Sequence, residues 1–238
     1  MIKKWVHRAN TLLWSMILKF KKFDTVDDLV IEHFQRWSKI DHQNLEGLRL
    51  ALNSLSSDSA TIVETGTSAY GTDSSRLFDS YVRNFGGKFY SVDINPYPSK
   101  RLKFAKCKKT EFFVMDSVQF LTKLDELIGK NSVDLAYLDS WDVDWSNPLP
   151  SAEHGKKELI ALKPYLRAGT IVVVDDTPES MNWIPISDRP AAMAFLDEYG
   201  ELPGKGAFLN SALQGVDFEV LYHDYNLVIR VNEVPFGI

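Results

Sequence analysis

The sequence predicts an α/β fold: a doubly wound sheet of seven strands, mostly parallel, closed by a C-terminal antiparallel hairpin and preceded by N-terminal helices. Three observations carry this. Short, continuously apolar runs, among them Val133–Asp139 (VDLAYLD) and Thr170–Asp175 (TIVVVD), alternate with helical patterns. Such alternation belongs to a parallel sheet covered on both faces. Acids stand at the C-terminal ends of these runs: Glu64, Asp93, Asp139 and Asp175. The last two runs, Phe218–Tyr222 and Tyr225–Val231, are separated only by His223-Asp224, so one of them must run antiparallel.

Residues 1–23 carry six bases (Lys3, Lys4, Arg8, Lys19, Lys21, Lys22) and no acid, which leaves 21 bases against 32 acids in the remainder. Trp5, Leu12, Leu13, Met16, Ile17 and Phe20 recur there at helical spacing, so the segment reads as a basic amphipathic helix. Two homes are open to it, an anionic membrane surface or a protein surface: the body of the chain or a second copy in a homodimer. Packing is favoured, since most apolar stripes are core. Asn10, Thr11, Ser15 and Lys19 interrupt the stripe and exclude a spanning helix, and no small-residue cleavage site marks a signal peptide.

Two amphipathic helices follow, over 26–38 and 42–55, completing an N-terminal helical extension (1–58) ahead of the sheet domain (59–238). The first strand is Ile62–Glu64 and its helix Thr72–Phe85. The second strand is Lys88–Asp93. The third, Glu111–Met115, precedes a helix over Val118–Ile128. The fourth is Val133–Asp139, with a helix from about Ala152 to Leu166, and the fifth is Thr170–Asp175. Residues 177–215 form a long insert ahead of the hairpin, on the side where loops carry substrate recognition. Trp183, Arg189 and Lys205 are its expected lid residues.

With 238 residues, 45% of them hydrophobic, the chain suits one ordinary domain with a small appendage. A single cysteine, Cys107, excludes an internal disulfide and points to a reducing, cytoplasmic home; Cys107 reads as a packing residue. The net charge of −5 argues against nucleic acid as a partner.

The most informative stretch is Thr61–Ser75, in which an apolar run stops at Glu64 and two glycines, Gly66 and Gly71, precede a helix start. Glycines there let the backbone take positive φ and approach a ligand closely. The spacing E-x-G-x-x-x-x-G is not the dinucleotide pattern G-x-G-x-x-G. An acid beside the turn repels a pyrophosphate and suits a ligand bearing ammonium or hydroxyl groups. Asp93, ending the second strand, is placed to accept ribose hydroxyls. Asp139, Asp175 and Asp176 gather at neighbouring strand ends, and like charges so close need a cation or a shared proton.

Five parallel strands, a closing hairpin and these acids in this order resemble the class I S-adenosylmethionine-dependent methyltransferases over about residues 60–232. The resemblance implies a Rossmann-like sheet and a cofactor site in which Glu64 faces the methionine end and Gly66 and Gly71 shape the turn. It also places Asp116-Ser117 at the adenine edge. Asp116 has a second reading, as a helix N-cap. The pieces LDSW (138–141) and VVVDDT (172–177) are similar to the metal-dependent small-molecule O-methyltransferases, catechol-type and macrolide-sugar enzymes among them. That likeness implies a divalent ion, Mg²⁺ or Ca²⁺, held by Asp139, Asp175 and Asp176. It also sets Trp141 beside the adenine, where a plain core Trp is the other reading. The catechol-type lysine base is replaced here by Asp142, so the base is Asp142 or His154, the latter otherwise a polar residue of a helix start. The expected activity is methylation of a small-molecule or glycan hydroxyl. The rivals are a nicotinamide-dependent oxidoreductase, disfavoured by the missing glycine pattern, and a non-catalytic binding protein of the same fold.

Overall fold

The computed structural model describes residues 21–55, 59–68, 71–103, 105–129 and 132–234. Helix α1 (Val26–Trp37) starts at Thr25, whose hydroxyl accepts the Asp28 amide at 3.1 Å, and is followed by α2 (Leu45–Asn53). Up to residue 20 the basic amphipathic segment lies outside the described residues; Lys21 pairs with Glu32 at 3.0 Å. Among the described residues no helix is long and apolar enough to cross a membrane.

The sheet contains β1 (Thr61–Thr65), β2 (Lys88–Asp93), β3 (Thr110–Val114), β4 (Leu135–Leu138), β5 (Ile171–Val174), β6 (Asp217–His223) and β7 (Leu227–Glu233). Its order is β3-β2-β1-β4-β5-β7-β6, with β7 antiparallel to both β5 and β6 and all other pairs parallel. The helices that follow β1, β2, β3, β4 and β5 are α3 (Ser74–Phe85), α4 (Pro96–Leu102), α5 (Ser117–Thr122) with α6 (Leu124–Ile128), α7 (Leu149–Leu162), and α8 (Arg189–Tyr199) with α9 (Leu209–Ala212).

Alternate residues of each strand face opposite sides. Val63, Ala136, Leu138, Val172 and Val174 pack with Phe120, Leu159 and Leu162 of α5 and α7. Ile62, Leu135, Tyr137, Ile171 and Val173 pack with Phe34, Leu48 and Phe78 of α1, α2 and α3. The N-terminal helices thus cover one face of the sheet, α2 reaching β5, β6 and β7.

Three elements differ from the sequence reading. The helix expected over Val118–Ile128 is broken at Lys123, because the Tyr165 hydroxyl takes the Thr122 carbonyl (3.1 Å) that a continuous helix would use. Helix α4 was not foreseen; Asn95 caps it by accepting the Tyr97 amide at 3.0 Å, and Pro96 opens it. The insert is not a plain loop, since α8 packs Phe195 and Tyr199 with Phe208 and Ala152.

Candidate active site

Polar residues from β1, β2, β4 and β5 converge at the C-terminal end of the sheet, where doubly wound folds bind ligands. The β1–α3 turn is set by Gly66. Its φ of +83° and an added Cβ at 2.1 Å from the Asp139 carbonyl leave room for no side chain, and its amide reaches the Val92 carbonyl at 2.9 Å. Gly71, at φ +87°, lies against His42, whose Nε2 would be 3.2 Å from an added Cβ. The carboxylate of Asp93 is half-buried and accepts the amides of Thr67 (3.1 Å) and Asn95 (2.7 Å). Burial raises its pKa above the usual carboxylate range, those two amides oppose the rise, and Asp142 nearby adds to it.

Glu64 corrects an expectation. It faces no cleft: it is wholly enclosed and accepts three hydroxyls, Ser74 and Ser91 at 2.6 Å each and Ser75. Burial outweighs those bonds and pushes its carboxyl to about 7. Its part is to tie β1 to β2 and to the first turn of α3 from beneath.

A second group lies beyond β3 and β4. Asp116 caps α5, accepting the Gln119 amide at 2.9 Å. His154 Nε2 is shared between Ser117 Oγ (3.1 Å) and Ser140 Oγ (2.9 Å), while Ser140 donates to the buried Glu158 at 2.7 Å. The Trp141 ring, 47% exposed, tilts over His154 at 5.0 Å between centroids. Both expected bases are therefore displaced. His154 belongs with Ser117 and Trp141 rather than with the three aspartates, and Asp142 stands exposed beside Asp93.

The three aspartates do converge. Lys205, 2% exposed, inserts its ammonium among them, bonded to Asp139 and 2.8 Å from Asp176 Oδ2. Tyr137 donates to Asp175 Oδ2 at 2.5 Å, Asn44 donates to the same oxygen at 2.8 Å, and Tyr225 donates to Asp176 Oδ1. Burial raises the Asp139 and Asp175 carboxyls, the latter further beside Asp176, and Lys205 opposes both shifts. Burial alone would lower the Lys205 pKa, but Asp139, Asp176 and Asp175 together raise it, so it remains an ammonium. Lys205 is therefore no lid residue. Trp183 is exposed on the insert and donates to Asp224 at 2.6 Å, and the half-buried Arg189 donates to the Ile184 carbonyl at 3.2 Å.

The fold matches known structures. MycE methyltransferase from the mycinamycin biosynthetic pathway, solved in complex with Mg and SAH, aligns with a TM-score of 0.54 and 16% identity, over 92% of this chain and 57% of that one. An O-methyltransferase family protein from Burkholderia thailandensis gives 0.50 and 8%, over 82% and 57%. The O-methyltransferase from Bacillus cereus, in complex with SAH, gives 0.50 and 12%, over 90% and 93%. The fold is that of the class I S-adenosylmethionine-dependent methyltransferases. The chain spans little more than half the length of the MycE chains it matches. No protein-family model matches the sequence, and no curated protein matches it.

On this methyltransferase fold the expected metal set does not fit a divalent ion. Hard cations take six or more oxygen ligands from carboxylates, carbonyls or water. Here an ammonium already stands between Asp139 and Asp176, Tyr137 and Asn44 donate to Asp175 Oδ2, the Asp176 amide donates to Asp175 Oδ1, and Tyr225 donates to Asp176 Oδ1. Among the described residues no group of His, Cys, Asp or Glu is arranged to hold a metal. Asn44, Tyr137, Tyr225 and Lys205 were not foreseen as members of this cluster. Lys205 alone carried a signal, the glycines on either side of it.

Proposed function

We propose that the protein is an S-adenosylmethionine-dependent methyltransferase acting on a hydroxyl of a small molecule or sugar. The observation that carries the reading is Asp93. It is a half-buried carboxylate at the end of β2, and each oxygen accepts one backbone amide and keeps a lone pair for one of two vicinal ribose hydroxyls. Gly66 holds the β1–α3 turn close over Asp139, and the Ser117–His154–Trp141 group offers an aromatic face and hydroxyls on the adenine side. The cofactor, when bound, supplies an electrophilic methyl group on a sulfonium.

The chain's own part is binding, orientation and the handling of one proton. In-line displacement gains chiefly from positioning. Asp176, the most accessible of the three aspartates at 20% side-chain exposure, is the group we assign to take the acceptor's proton, at its Oδ atoms. Tyr225 and Lys205, both hydrogen-bonded to it, hold that carboxylate in place.

Calorimetry tests the reading. Wild type binds S-adenosylmethionine with a micromolar Kd, and Asp93→Ala weakens it about tenfold, ~1.4 kcal/mol. Equal affinity in the two proteins removes Asp93 from the site, and no binding by wild type removes the reading itself.

A further inference from the structure

Lys205 sits in the loop Pro203-Gly204-Lys205-Gly206, and the packing of that loop allows it one position. An added Cβ on Gly204 would lie 2.4 Å from the Asp176 carbonyl, one on Gly206 2.6 Å from Thr177 Cγ2, and one on Gly155 of α7 2.1 Å from the Lys205 carbonyl. Each glycine thus permits a backbone approach that no other residue allows. The Lys205 amide donates to the Asp176 carbonyl at 3.1 Å, and the Gly206 amide donates to Thr177 Oγ1 at 3.0 Å. Thr177 in turn donates its amide to the Tyr225 carbonyl at 2.9 Å. The lysine's backbone is therefore pinned to residues 176–177, just beyond β5, on one side and to α7 on the other, which fixes where its four-carbon stem begins.

The stem ends where the charge is. The ammonium lies between Asp139 at the end of β4 and Asp176 just beyond β5, and Asp176 itself holds a left-handed φ of +43°. That conformation costs a non-glycine residue free energy and persists only where surrounding contacts enforce it. The Asp176 carboxylate, bonded on one oxygen by Tyr225 and on the other by Lys205, supplies them. Both oxygens of Asp175 accept as well, Oδ2 from Tyr137 and Asn44 and Oδ1 from the Asp176 amide.

We infer that Lys205 is the resident cation of this cluster. It stands in the place a divalent ion would need, so that the cluster is neutralised without a metal and its affinity for one at this position is suppressed. Three carboxylates this close repel one another unless a cation or shared protons intervene, and here the cation is covalently part of the chain. A divalent ion entering the cluster would have to expel a buried ammonium that has no other partner of comparable charge among the residues it touches. The same reasoning predicts a latent site, since removing the ammonium leaves a cluster that only an external cation can neutralise. The inference concerns the cluster alone and does not depend on the cofactor or on methyl transfer.

The experiment uses the full chain, with Mn²⁺ as the probe, read by electron paramagnetic resonance and by melting curves in chelator and in excess Mg²⁺. Wild type gives superimposable melting curves and no Mn²⁺ signal that Asp139→Asn removes. Lys205→Ala melts lower in chelator, recovers with Mg²⁺, and binds Mn²⁺ at least about tenfold more tightly than wild type; adding Asp139→Asn abolishes the gain. Mn²⁺ bound by wild type and lost in Asp139→Asn overturns the inference, as does a folded Lys205→Ala with no gain. Should Lys205→Ala fail to fold, amine footprinting of wild type decides. Lys205 stays unmodified under a reagent that labels the surface lysines, and labelling at the surface rate contradicts its place as a buried counter-ion.

Discussion

Glu64 shows how one buried residue can fix a turn from beneath. Enclosed beneath the turn, it holds a proton to about pH 7, whereas the unfolded chain releases it near 4.5. Between those values the folded state binds more protons than the unfolded one, so this residue's contribution to stability falls as the pH rises and is lost above about 7. Glu64→Gln removes the titration and should flatten the pH dependence of unfolding between 5 and 8 relative to wild type. The difference should reach at most about 3 kcal/mol. Parallel curves for the two proteins in urea titrations across that range would contradict it. The acid was legible in the sequence as the end of β1, but its enclosure was not. Ser74, Ser75 and Ser91 lie 10 to 27 residues away and become its partners only when α3 and β2 pack against β1. Lys205 was hidden for the same reason, 66 residues from Asp139 in a loop whose path is set by packing.

At the scale of elements, close approach decides the site. Helix α7 meets the 203–206 loop across Gly155, where a Cβ would lie 2.1 Å from the Lys205 carbonyl. Gly155→Ala should therefore overpack this contact and destabilise by about 1–3 kcal/mol. Gly66→Ala should cost at least about 2 kcal/mol, since it adds left-handed strain to a backbone clash. Gly169→Ala is the control: its φ is +88° but nothing lies within 4 Å of the added Cβ, so strain alone applies, about 1–2 kcal/mol. Denaturant unfolding of the three variants checks the order, and a Gly66→Ala no worse than Gly169→Ala would refute it. The strands were legible because a buried parallel strand needs a continuous apolar run, as in Ile171–Val174. Helices whose ends depend on tertiary partners were not: the break at Lys123 follows from Tyr165, and α8 exposes Met193 and Leu196, which blurs its apolar face.

For the whole molecule, a seven-stranded sheet brings together residues from β1 to the segment before β6, and the polar groups of the strand ends lie at one end of it. The topology was legible down to the antiparallel hairpin. At the strand ends the convergence of the trio was legible, whereas the cation it carries was not. In the proposed function, S-adenosylmethionine occupies the β1–α3 and β2–α4 turns. Amide hydrogen exchange with and without saturating S-adenosylhomocysteine tests it most directly. The account predicts slowed exchange in peptides covering 64–75 and 91–97, with the 217–233 hairpin unchanged. Unchanged exchange in both peptides, or protection confined to the region around Trp37 between α1 and α3, would contradict it.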